Sequence, residues 1–193
     1  MQANLILAPG NPQEYDDRID EALVGLMLAD GPNVAPLGRR RIDAALTETV
    51  WNDNQAGAGD VRLMHDTDIP AQWIAVRAAD ASAFDALLAC LRDALPVLTY
   101  EQLRAAENRP GGLTRLALTH DARLATDILP LVVQALQSGK AKRREDAAMA
   151  AQLAAAPGTA AVLREALARE QDKGVAAMLA HALQRIGSGS ASP

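Results

Sequence analysis

ILPLVVQALQSGKAKRREDAAMAAQLAAAPG (residues 128–158) and, after two residues, AVLREALAREQDKGVAAMLAHALQRIG (residues 161–187) decide how the second half of this 193-residue chain folds. From Ala141 to Leu183 alanine fills 16 of 43 positions, a composition that favours helix and lets helix backbones approach closely. At an offset of 30 residues, Met149, Ala150, Leu153 and Ala156 fall on Leu179, Ala180, Leu183 and Ile186. A preceding helix leads into each set, ending at Val132–Leu136 in one copy and Val162–Leu167 in the other. The polar turns 137–144 and 169–173 separate the members of each pair. The pattern predicts two helical hairpins of about thirty residues stacked side by side.

Outward from this stretch the pattern changes at Arg109-Pro110-Gly111-Gly112, the expected boundary between a part spanning 1–108 and the helical repeats of 109–187, with a flexible tail at 188–193. All five aromatic residues lie in the first hundred positions. Residues 1–110 hold 9 Lys/Arg against 17 Asp/Glu, a charge of −8, whereas residues 111–193 hold 10 against 7, a charge of +3. The first part carries both helix and strand signals. Asn11 caps a helix with Pro12 at its first position, and Ile19, Leu23, Leu26 and Met27 recur on one face. Ile42, Ala45, Leu46, Thr49 and Val50 predict a second helix running to Trp51. Val61–His65 and Gln72–Arg77 predict two strands paired as an antiparallel hairpin. Ser82 with Asp85 opens another helix, whose stripe is Phe84, Leu87, Leu88, Leu91 and Leu95. The expected order to Leu95 is β-α-α-β-β-α, and Thr99 with Gln102 opens a short helix ending near Asn108. The fold class is α+β: an N-terminal α/β part with a short antiparallel hairpin, then a C-terminal α-helical hairpin stack.

The two quoted segments resemble the short HEAT-like repeats of bacterial proteins, including the phycobilisome lyase type. Pro130 sits where the first helix of such repeats is often kinked, and Asp172, Val175, Ala177, Ala180, Leu183 and Gly187 match much of the second half of the motif. The resemblance covers roughly 121–187, with Leu113–Thr119 as a degenerate preceding helix. It departs from the pattern at Ala176, where an arginine is usual, and at Glu145, which stands in the place of the motif's valine. The resemblance implies an interaction scaffold, and also permits a lyase.

The dense cationic cluster that stands out is Lys140, Lys142, Arg143 and Arg144, at a helix start. The helix dipole disfavours cations there, which hints at an anionic surface opposite, although charged tips are ordinary on helical hairpins. In a stack of hairpins the second helix of each repeat lines the concave side. The non-core residues expected there are Arg144, Gln152, His181, Gln184 and Arg185, so these join the cluster as candidate partner-binding residues. His65-Asp66-Thr67-Asp68 carries possible ligands for a divalent ion, but Asp and Thr are also what a hairpin turn uses for local hydrogen bonds. Asp66 and Asp68 remain the candidates for an alternative acidic surface. Cys90 on an apolar helix reads as a buried inert thiol, His120 as a helix-start hydrogen-bonding residue, and Trp51 and Trp73 as core or boundary residues. No Gly-x-Ser-x-Gly, phosphate-loop or dinucleotide motif occurs.

The expectation is therefore a bacterial, cytoplasmic protein that binds another protein, with no catalytic residues, cofactor or metal of its own. No apolar run approaches the ~20 residues of a membrane helix, and no cationic start followed by an apolar core marks a secretory signal. The acidic chain and the absence of aromatics from the repeat half disfavour nucleic acid. Two other readings stay open: an immunity or inhibitor protein that meets a basic partner with its acidic N-terminal surface, and a HEAT-like lyase enzyme. Two repeats are few for independent stability, so the N-terminal part is expected to cap the stack and melt with it in one transition.

Overall fold

The computed structural model describes residues 1–53, 59–69, 71–119, 121 and 123–189. The chain is an α+β protein that divides into two compact units, Met1–Thr99 and Tyr100–Pro193. The division falls ahead of Arg109-Pro110-Gly111-Gly112, which joins two helices inside the second unit.

The first unit runs β1 (Gln2–Ile6), α1 (Pro12–Leu28), β2 (Ala35–Arg41), β3 (Leu46–Asn52), β4 (Asp60–Asp66), β5 (Ala71–Arg77) and α2 (Ala81–Ala94). Its strands form one antiparallel sheet in the order β1-β5-β4-β3-β2. Side chains alternate between the faces of a strand, and the register stacks the apolar set on one of them: Leu5 opposite Ile74, Val61 opposite both Val76 and Trp51, and Leu63 opposite Ile74. This face packs with Ile19 and Leu23 of α1 and Leu87, Leu88 and Leu91 of α2 into one core. Burying each such side chain contributes roughly 1.5–3 kcal/mol.

Asn11 caps α1 as expected, its side-chain oxygen accepting the Gln13 N–H at 3.1 Å, with Pro12 first in the helix. α2 opens two residues earlier than expected, capped by Asp80 through the Ala83 N–H at 2.8 Å. The pairing of Val61–His65 with Gln72–Arg77 is the β4–β5 hairpin, in register from Asp60 opposite Arg77 to Asp66 opposite Ala71. The helix expected over residues 42–51 is not formed. That stretch instead supplies β3, paired with β2 on one side and β4 on the other, and the order is β-α-β-β-β-β-α. Ile42, Ala45, Leu46, Thr49 and Val50 satisfy a helical period by coincidence. The period that governs is two: Thr47, Thr49 and Trp51 share one face of β3 and Glu48 and Val50 the other. Three β-branched residues and a tryptophan in six favour the extended chain.

The second unit comprises α3 (Tyr100–Ala105), α4 (Gly112–Leu118), α5 (Leu124–Leu136), α6 (Ala141–Ala154), α7 (Thr159–Arg169) and α8 (Lys173–Gly189). Consecutive helices pack in pairs, α3 on α4, α5 on α6 and α7 on α8. Across pairs, α6 lies between α4 and α8, while α5 touches α7. The fully buried side chains of α6 include Ala147, Ala148 and Ala150, and such small residues let α6 approach three neighbours closely. Gly111 adopts a left-handed φ of 67° at the start of α4, and a Cβ on Gly112 would stand 2.3 Å from the Ala106 carbonyl oxygen. The Gly-Gly pair is therefore what lets α4 turn back against α3. Pro130 falls inside α5, where it removes one helical N–H donor. The tail expected at 188–193 begins inside α8, and residues 190–193 and His120 lie outside the described residues.

Candidate functional site

The four cations at the start of α6 meet different fates. Lys140 is the N-cap residue and is exposed, and its backbone N–H donates to Ser138 Oγ at 3.2 Å. Lys142 is exposed and donates to Glu145 at 2.8 Å, one turn along the same helix. Arg143 turns inward: its guanidinium donates to the Glu107 carbonyl and, at 2.9 Å, to Asn108 Oδ1, and it lies 3.4 Å from Asp146. Burial pulls its pKa down against the pull of Asp146. Arg144 grips Glu170 with two parallel hydrogen bonds of 2.7 and 2.9 Å and donates to the Ser138 carbonyl at 2.8 Å. That fork holds the Glu170 carboxyl down at about 2, chiefly by the Arg144 hydrogen bond and then by the Asp172 backbone N–H. Arg143 and Arg144 thus fasten α6 to the segment after α3 and to the end of α7, which leaves Lys140 and Lys142 as the outward charges of the cluster.

Beneath them Asp146 is 8% exposed and receives the Leu113 N–H at 3.2 Å, the Thr114 N–H at 3.0 Å and the Thr114 hydroxyl at 2.6 Å. No side chain of α4 or Gly111 caps the start of α4; Asp146 of α6 does so from across the packing interface.

Along α6, Lys142, Glu145, Met149 and Gln152 form a stripe that is exposed at Lys142 and half-buried beyond it. A Cβ on Gly174 would lie 3.8 Å from Glu145 Oε1, so the start of α8 runs beside this stripe. On α8 the exposed residues Ala177, Ala180, His181 and Gln184 share one side, followed by exposed Arg185. Of the expected partner-binding residues, Lys140, Lys142, His181, Gln184 and Arg185 are thus exposed, Gln152 is half-buried, and Arg143 and Arg144 are engaged within the unit.

In the first unit Asp66 Oδ1 accepts the N–H groups of Asp68 and Ile69 at 2.8 and 3.0 Å, so it stabilises the turn after β4, while Asp68 is exposed. His65 Nδ1 lies 3.2 Å from the Gln72 amide nitrogen on the neighbouring strand. Among the described residues no group of three or more His, Cys, Asp or Glu side chains could hold a metal ion, and no helix is long and apolar enough to cross a membrane. The Cys90 thiol points at the Ala22 carbonyl at 3.3 Å, and burial pushes its pKa up. Trp51 is 1% exposed and donates its indole N–H to Asp20 at 2.5 Å; Trp73 is half-buried on the sheet face opposite the helices.

Sequence reasoning passed over a second cationic run, Arg39-Arg40-Arg41, all exposed on β2 at the edge of the sheet. Three consecutive arginines were visible in the sequence. The helical reading of the residues next to them hid the exposed edge strand that displays them. No protein family, curated protein or solved structure matches this chain.

Proposed function

We propose that this protein works by binding another protein, with the paired helices of the second unit acting as HEAT-like repeats and the α6/α8 side as the contact surface. The observation that carries this reading is the packing of α6 on α8, each with a row that reaches solvent: Lys142, Glu145, Met149 and Gln152 on α6, and Ala177, Ala180, His181 and Gln184 on α8. Small, polar and thioether side chains, with lysines at the α6 end, suit an extended acidic or polar segment laid across the two helices. Because Arg143 and Arg144 are tied inside the unit, the charge left for a partner is modest, and affinity rests on side-chain packing along both rows.

The test is affinity capture from the native cell, identification of what co-elutes, and measurement of the purified pair by calorimetry. Met149→Glu combined with His181→Glu is expected to weaken binding at least tenfold, roughly 1.4 kcal/mol, while Lys142→Glu has a smaller, salt-dependent effect. A partner that binds the double variant with undiminished affinity overturns the assignment of this surface.

A further inference from the structure

Six large apolar side chains stand exposed among the described residues, and five of them border two elements of the first unit. Val24 (51% exposed), Met27 and Leu28 (77%) end α1, and Leu37 (60%) and Ile42 lie in and just after β2. Each group adjoins a run of charge, and the two runs are opposite in sign. On α1, Glu14, Asp17, Glu21, Val24 and Leu28 are all exposed at helical spacings of three and four, a single stripe that is acidic toward the N-terminus and apolar toward the C-terminus. On β2, exposed Arg39, Arg40 and Arg41 lie between Leu37 and Ile42.

We propose that the α1–β2 rim is a self-association surface, on which two copies of this chain meet about a two-fold axis, the α1 stripe of each lying along the β2 flank of the other. One unit carries both halves of the match, acid against arginine and leucine against leucine, which is what an isologous contact requires. An anionic membrane or a nucleic acid would be repelled by the Glu14–Asp17–Glu21 row. Direct strand-to-strand pairing through β2 is opposed by its own construction: the register shifts between Pro36 and Gly38, where φ reaches +115°, and three arginines line the edge. The contact is therefore helix against strand side chains. Arg40 and Arg41 are held in place by Glu48 and by the Asp43 and Ala44 carbonyls, so their positions are set before a partner arrives. The stripe is short, about 21 Å at 1.5 Å per residue, which places the contact at the small end of specific interfaces and makes the dimer concentration-dependent.

Sedimentation velocity on the full chain tests this. At low salt the native protein is expected to pass from one copy to two as concentration rises, and raised salt should shift it back toward one. Asp17→Lys with Glu21→Lys, and separately Arg39→Glu with Arg41→Glu, should each weaken dimerisation at least tenfold, because each variant juxtaposes like charges twice per dimer. An equimolar mixture of the two variants should restore dimers, since each then meets its complement. Leu28→Asn, at a side chain 77% exposed, serves where a charge variant loses its native circular dichroism, and should also weaken the dimer. A native chain that stays single at every soluble concentration, growth beyond two copies, or a variant mixture that remains monomeric overturns the proposal.

Discussion

Asp146 does more for the second unit than its position on the polar side of a helix start suggests. It is a carboxylate 8% exposed that ends the search for partners of three donors, two of them α4 N–H groups with no other cap. Replacing it with alanine would strand those donors and leave Arg143 without its nearby carboxylate, and groups buried without partners are costly. Asp146→Ala is expected to destabilise the protein by about 3 kcal/mol, read as a lowered midpoint in urea unfolding, with Asp146→Asn intermediate because its amide oxygen still accepts one N–H. Asp16 shows the opposite economy. It is also 8% exposed, has one carboxyl oxygen without a hydrogen bond, and burial raises its pKa.

At the scale of elements, the ion pair between Arg144 and Glu170 joins two helical hairpins, and its dependence on pH follows from the depressed Glu170 pKa. An unfolded glutamate takes up its proton near the ordinary value of 4.5, whereas in the folded chain Glu170 resists until about 2. The stabilisation is therefore complete above about 4.5 and is lost as pH falls through that window toward about 2. Thermal melts of the native chain and Glu170→Gln should differ most near neutral pH and converge between about 4.5 and about 2. A difference that stays constant across that range would mean the carboxylate contributes nothing by its charge. By the same geometry, reversing Lys142, Arg143 and Arg144 together cannot leave the melting temperature untouched, since two of the three hold helices in place.

Across the whole molecule, stability should be graded by how many neighbours each element has. β3, β4 and β5 each pair on both sides, and α6 touches α4, α5 and α8, whereas the edge strands β1 and β2 pair on one side alone. Of these two, β2 is exposed along nearly its whole length, while β1 ends in the buried Leu5 and Ile6. Amide hydrogen exchange is expected to be slowest in β4, β5 and α6 and fastest in β2 among the paired strands, because opening an edge exposes little buried surface. Protection in β2 equal to that in β4, measured at low protein concentration so that self-association does not contribute, would contradict this ordering.

The sequence by itself determined the α+β class, the cap of α1 with Ile19 and Leu23 on its buried face, the β4–β5 hairpin and the helices α6 to α8, because each is written in local terms: Asn11-Pro12, the alternation of Val61 and Leu63, and alanine at helical spacing through 141–183. Met27, expected on the same face of α1, is exposed. It misread 42–51 because apolar residues there fit two periods at once, and only pairing with both β2 and β4 selects the extended one. The roles of Arg143, Arg144 and Asp146 were likewise invisible in the chain. Their partners, Asn108, Glu170 and Thr114, lie 35, 26 and 32 residues away. A charge reads as a free surface cation or as a buried fastener only once packing has decided which carboxylates and carbonyls surround it.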